Sequence, residues 1–199
     1  VHQENKGFLS QRKEDKFRIL YVGKIEERRN VYFLIEVFRR LCLKYSDVQL
    51  MLIGDGEKKY RDNFLNSIKG EVEKGKIIYR KKVTQEALPE IYQSSDLFLF
   101  TSNYEIFGMV LLEAMYFGLP VISTLNGGAS TLINEGENGY VIDEFDVEKW
   151  SEKIAELIDD RERRQSMGQY ACETIKSGFT WDKLAEKFES AYEEAIGLF

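Results

Sequence analysis

The sequence predicts a doubly wound α/β domain, a parallel sheet of about six strands with helices on both faces. Three observations carry this. Short apolar runs alternate with amphipathic stretches along nearly the whole of 17–199. The runs are continuous in Val, Ile, Leu and Phe, as in strands covered on both faces, instead of alternating with polar residues. Only two prolines, Pro89 and Pro120, and no Ser/Gly-rich stretch interrupt 17–199, so no internal domain boundary is expected.

FRILYVG (17–23) is a β-rich run closing on a glycine, followed by a helix from about Asn30 to Tyr45 with Phe33, Leu34, Val37, Phe38 and Leu41 at helical spacing. VQLMLIG (48–54) repeats the strand-to-glycine pattern, and a charged helix over about 57–74 leads to the strand KIIY (76–79). A helix over 84–94 precedes the strand DLFLFTS (96–102), and 108–117 form an almost wholly apolar helix. LPVISTL (119–125) is the next strand; Gly127-Gly128 reads as a turn, followed by a short helix and a last strand, GYVID (139–143). Three helices close the chain, at about 146–158, 160–177 and 181–197. Residues 1–16 read as a linker or tail. They are mostly polar and do not resemble a signal peptide, and the start on Val1 in place of Met reads as a fragment or processed product.

Composition excludes several classes. With 43% apolar and 13% aromatic residues the chain can build a core, which argues against disorder. A formal charge of −6 gives no nucleic-acid footprint. The longest apolar runs are about seven residues, against the roughly 20 of a membrane helix. Cys42 and Cys172 suit a reducing, cytoplasmic setting; they lack zinc-site spacing and are expected in helices as small hydrophobes. The one histidine, His2, stands in the polar tail, so no His base is available from this chain.

In such a sheet ligands bind beyond the carboxyl ends of the strands, where strand order reverses. For the commoner order that crevice lies between GKIEERRN (23–30) and TSNYEIFG (101–108); in a flavodoxin-like order the basic loop RKKV (80–83) takes part. The first loop sets Lys24, Arg28 and Arg29 just ahead of a helix, an arrangement suited to a di- or triphosphate, although Glu26 and Glu27 also allow a solvated charge cluster. Gly23 is a single glycine, so the dinucleotide fingerprint is absent, and GDGEKK (54–59) lacks P-loop spacing; Gly54 and Gly56 read as turn residues. Gly108 allows close backbone approach at the start of the apolar helix. Glu113 stands within that helix among Met109, Val110, Leu111, Leu112, Ala114 and Met115, and is costly there unless bonded. It lies roughly 7.5 Å from the helix start, about the reach from a nucleotide's diphosphate to its ribose. Two vicinal hydroxyls would satisfy it; so would a buried ion pair with an Arg or Lys.

Glu105 to Glu113 spells E-x(7)-E within TSNYEIFGMVLLEAMYFGLPVIST. Together with ILYVGKIEERRNVYFLI, LMLIGDGE, the helix after Val83, NGGASTLINEGENGYVI and FTWDKLAEKFESAY, this resembles the retaining glycosyltransferases of family 4 (group 1), specifically the donor-binding C-terminal domain of the GT-B fold. The likeness covers about 17–199. It implies that Lys24 and Arg29 contact the donor diphosphate, with the family's Arg and Lys exchanged. It implies that Glu105 orients the donor sugar and Glu113 holds the ribose. The backbone amides of Phe107, Gly108, Met109 and Val110 would cradle phosphate beside Gly23, and Val83 would line the base pocket.

The resemblance further implies sugar transfer from a UDP- or GDP-sugar to an acceptor hydroxyl with retention of configuration and without a metal, since no D-x-D motif is present and protein cations would stabilise the leaving diphosphate. No other cofactor is implied. The acceptor, a glycan or a lipid, belongs to a missing N-terminal domain, without which this domain is expected to be inactive; a peripheral membrane contact of the full-length enzyme stays open. Helix 181–197 would dock back onto that half through Trp181, Leu184 and Phe188. Two departures stand out. Arg80-Lys81-Lys82 occupies a stretch where the family often has Gly before Val83, and Thr131 replaces the Glu of the motif GG-x-x-E. A non-catalytic nucleotide-binding module and a GT-B sugar-nucleotide epimerase are the alternatives. A glycosidase is disfavoured because Glu113 is committed to an apolar helix, and a signalling receiver because the first loop is basic.

Overall fold

The computed structural model of the protein describes residues 16–197. The expected tail, His2 included, lies outside them apart from Lys16. Six strands, β1 (Phe17–Val22), β2 (Val48–Ile53), β3 (Ile77–Arg80), β4 (Leu97–Phe100), β5 (Val121–Ser123) and β6 (Gly139–Val141), form one sheet in the order β3-β2-β1-β4-β5-β6. Every pairing is parallel. The described helices are α1 (Val31–Lys44), α2 (Lys58–Ser67), α3 (Lys69–Glu73), α4 (Leu88–Gln93), α5 (Met109–Tyr116), α6 (Gly127–Leu132), α7 (Val147–Asp159), α8 (Arg161–Gly178) and α9 (Trp181–Gly197).

Successive strand residues point to opposite faces, so a strand apolar at every position feeds two cores. Ile19 and Tyr21, Leu50 and Leu52, and Leu97 and Leu99 join α1 and α7 on one face, with fully buried Trp150 at its centre. Leu20, Met51, Ile53, Phe98 and Phe100 join α5, α6 and α8 on the other. Arg18 on β1, Gln49 on β2 and Ser123 on β5 break the pattern as buried polar residues. Arg18 is fully buried, yet its guanidinium donates to Gln49 Oε1 at 3.1 and 3.2 Å and its backbone N–H donates to Asp96 at 2.8 Å. Cys42 and Cys172 lie in α1 and α8 as free, half-buried thiols.

Three expectations are corrected. The single helix over 57–74 is broken at Ile68. The Ser67 carbonyl, which a continuous helix would bond to the Glu71 N–H, accepts instead from the Arg39 guanidinium at 2.8 Å, and the Glu71 N–H bonds Ile68. The 84–94 helix opens with a tight turn over Gln85–Ala87 before α4. Gly127-Gly128 is no turn: it opens α6, which Asn126 caps by accepting from the Ala129 N–H at 2.9 Å.

α7, which packs the Trp150 core against α1, begins at Asp146, whose carboxylate accepts from the Glu148 and Lys149 N–H groups at 2.9 and 3.2 Å. Asp146→Ala is expected to cost about 1 kcal/mol, the usual worth of such a cap, read as a lowered denaturation midpoint with an unchanged denaturant slope.

Candidate functional site

The strand order reverses between β1 and β4, so the loops leaving these two strands frame the expected crevice. In the structure they are stitched together. The Asn103 N–H donates to the Arg28 carbonyl and the Thr101 hydroxyl to the Arg29 carbonyl, both at 2.8 Å. The cations of the first loop then divide. Arg28 stays exposed and pairs with Glu26 at 2.5 Å, as in a solvated charge cluster. Arg29 turns inward, lies 5.5 Å over the Phe100 ring, donates to Ser102 Oγ at 3.3 Å and forms an ion pair with Glu105. Its side chain is 14% exposed, and its Nε is buried without a hydrogen-bond acceptor, 3.6 Å from Glu26.

Burial alone would raise the Glu105 carboxyl, but the Arg29 bond and charge outweigh it, helped by the Gly108 and Ile106 N–H groups, and hold it below the usual carboxylate range. The folded-state pKa is therefore the lower one. The stabilisation is complete above the unfolded value of about 4.3 and is lost as pH falls through the folded value. Glu105→Gln should accordingly flatten the acid limb of a plot of melting temperature against pH, whereas an acid limb identical to wild type would show that the pair carries no linkage.

Gly108 caps α5 with φ at +72°, a left-handed conformation that glycine adopts without strain. Its carbonyl accepts from the Leu111 and Leu112 N–H groups at 2.8 and 3.2 Å. The N–H groups of Met109 and Val110 belong to the first turn, where a helix supplies no acceptor. Phe107 and Met109 are exposed, and Val110 is half-buried against the core.

The open space lies on the other side of β1. A crevice of about 740 Å³ is lined by Gly23, Lys24, Gly54, Lys82, Val83 and Leu88, among others. The Lys24 side chain is exposed, and its backbone is pinned by the Tyr21 hydroxyl, which donates to the Lys24 carbonyl at 2.8 Å. Gly54 is not the turn residue expected of it: its φ is not left-handed, and a Cβ there would lie 1.7 Å from the Gly23 carbonyl oxygen. Close approach of the β1 and β2 loops is what demands glycine. Lys81 in the basic stretch lies 3.6 Å from Asp55, which also binds Arg61 at 2.7 Å.

Glu113 is half-buried and lines a separate groove of about 610 Å³ with Phe107, Met109, Leu112 and Trp181. It neither points freely into solvent nor, among the described residues, pairs with a cation. Its Oε2 accepts from the Tyr92 hydroxyl at 2.8 Å. The predicted residues thus fall into three groups: Gly23, Lys24 and Val83 in the crevice, Arg29 and Glu105 at the β1/β4 junction, and Glu113, Phe107 and Met109 along the groove beside α5. Gly108 and Val110 start α5 between them in sequence. Sequence reasoning missed Tyr92. Its signal was the need of a carboxylate on an apolar helix for a donor, but the partner is 21 residues away on another helix. Thr131, where the resemblance implies a Glu, is exposed and donates to the Gly127 carbonyl at 2.9 Å. Among the described residues no group of three or more His, Cys, Asp or Glu side chains could hold a metal ion.

The family model of glycosyl transferases group 1 matches residues 3–174. The chain belongs to this family. Spore coat protein SA of Bacillus subtilis (strain 168) is 32% identical over 184 residues, covering 88% of the chain and 48% of that protein. The N-acetyl-alpha-D-glucosaminyl L-malate synthase of Bacillus anthracis is 28% identical, covering 89% and 45%. This group 1 glycosyltransferase chain therefore spans about half the length of these curated relatives. Among solved structures, the C-terminal domain of a glycosyl transferase group 1 family protein from Francisella tularensis superposes with a TM-score of 0.78 at 22% identity, covering 91% of the chain and 94% of that domain. Anabaena HepE, solved with UDP and glucose, gives 0.81 at 19% identity, covering 97% of the chain and 52% of HepE. At these identities the superpositions establish a shared GT-B domain fold.

Proposed function

We propose that residues 17–199 are the donor-binding half of a retaining, metal-independent glycosyltransferase that moves a sugar from a UDP- or GDP-sugar to an acceptor hydroxyl supplied by a second domain. The carrying observation is the Arg29–Glu105 ion pair at the strand-order reversal, directly ahead of the α5 N-terminus. It sets a cation and a carboxylate together on the loop that leads into the start of α5, which suits a sugar diphosphate: phosphate toward Arg29, Lys24 and the helix start, sugar hydroxyls toward Glu105. As the glycosidic bond breaks, negative charge builds on the departing diphosphate, and these fixed positive groups stabilise it where it develops. Val83 and the crevice around Lys24 would receive the base, and Glu113 the ribose. Exposed Trp181 and Phe188 on α9, with half-buried Leu184, would meet the acceptor domain. The reading places the protein in the cytoplasm; no helix among the described residues is long and apolar enough to cross a membrane.

Calorimetry with a panel of UDP- and GDP-sugars tests the assignment. Saturable binding of one of them, lost in Lys24→Ala, is expected. No binding across the panel would overturn it, and robust sugar transfer by the 199-residue chain alone would overturn the requirement for a second domain. Thr131 keeps one other reading in play, a nucleotide-binding module without turnover, because its hydroxyl is turned onto the Gly127 carbonyl and leaves no carboxylate there. A product assay with the acceptor domain added separates the two.

A further inference from the structure

Tyr92 is fully buried in α4, and its ring is fixed on two sides. It stacks on Phe117 at 5.5 Å between centroids, with 11° between planes, and lies 6.2 Å from Phe98. This clamp delivers the hydroxyl to Glu113 Oε2 at 2.8 Å. A glutamate side chain has three rotatable bonds and loses rotamer freedom when ordered. A half-buried Glu113 at the groove edge would otherwise meet this cost at the moment of ligand binding. An ionised carboxylate offers about four lone-pair sites on two oxygens, and Tyr92 engages one of them.

We propose that Tyr92 is the positioning residue of the ribose site: it anchors Oε2 of Glu113, so that the other carboxylate oxygen is held ready for the ribose hydroxyls. Tyr92 touches no ligand in this arrangement and acts only through Glu113. Burial, reinforced by the Glu113 charge and bond, pushes its phenol far above the ordinary tyrosine value, so it stays a proton donor at every working pH. The inference rests on the ribose role of Glu113 proposed above.

The test compares UDP and GDP with their 2′-deoxy counterparts by calorimetry, for the wild-type chain and for Glu113→Ala, Tyr92→Phe and a chain carrying 4-aminophenylalanine at position 92. The wild type is expected to prefer the ribonucleotide, and Glu113→Ala to lose that preference. Tyr92→Phe keeps the ring and its stacking and should cut the preference by about three- to tenfold, the worth of one hydrogen bond. The amino variant restores a donor at the same place and should recover most of the preference, which a purely structural role for the hydroxyl would not produce. If Glu113→Ala keeps the wild-type preference, the ribose reading falls and this inference with it. If Glu113→Ala loses the preference while Tyr92→Phe retains it in full, only the positioning role is overturned.

Discussion

Arg29→Met is expected to weaken nucleoside diphosphate binding by about 10- to 150-fold, the loss of one hydrogen bond to a charged group. Arg29 is held at the β1/β4 junction against Phe100, Ser102 and Glu105, with a side chain 14% exposed. The same substitution strands the Glu105 carboxylate, 20% exposed, beside a helix start with no counter-charge, and should lower stability by about 1–3 kcal/mol. A second change separates the two effects. Arg29→Met with Glu105→Gln removes both charges, and because residues in contact couple, it should recover much of the stability but none of the binding. Arg29→Lys keeps the charge but not the forked donors and should fall between wild type and Arg29→Met in affinity. Calorimetry and denaturant titration on the four proteins read all of this, and wild-type affinity in Arg29→Met would remove the junction from the donor site.

Gly128→Ala should disable the site from a position that offers the ligand nothing. A Cβ at Gly128 would lie 2.2 Å from the Phe107 carbonyl oxygen, 2.8 Å from its carbon and 3.3 Å from the Gly108 nitrogen. All three are backbone atoms, so no rotamer relieves the contact. The 105–108 segment must shift, although the Gly127 N–H bonds the Glu105 carbonyl at 3.0 Å and ties it to α6. Overpacking of this kind costs about 1–3 kcal/mol. Binding should fall further than stability, because the segment that moves carries Glu105 and the cap of α5. Gly70→Ala is the control: it lies in α3 with nothing within 4 Å of the added carbon, and should stabilise by about 0.4–1 kcal/mol. Unchanged melting and unchanged nucleotide binding in Gly128→Ala would contradict the packing described.

The strands were legible because buried parallel strands need only be largely apolar, and ILYV or LFLF satisfies that without reference to anything distant. The E-x(7)-E segment was legible because its two acids sit on one continuous loop-and-helix stretch. What escaped depends on partners far along the chain. Nothing local in SIKGEVE shows that Arg39, 28 residues earlier, takes the Ser67 carbonyl and breaks the helix. Two adjacent glycines suggest flexibility, yet at 127 and 128 they are small so that one backbone can press on another, and the capping Asn126 was the local sign that a helix begins there. The inward turn of Arg29 was likewise hidden. Arg28 and Arg29 are neighbours of one type, and only the packing of the β4 loop sends one to solvent and the other to Glu105.

The union of Arg29 with Glu105 means the pocket arrives with its main positive charge already neutralised. On the proposed function, an incoming diphosphate would not fill a vacant cationic well but would exchange with a resident anion, and the carboxylate released from the guanidinium would be left facing the sugar. Capture of the tail and release of the acid meant for the head would then be a single event, and a phosphate compound lacking the sugar would free that acid with nothing for it to hold.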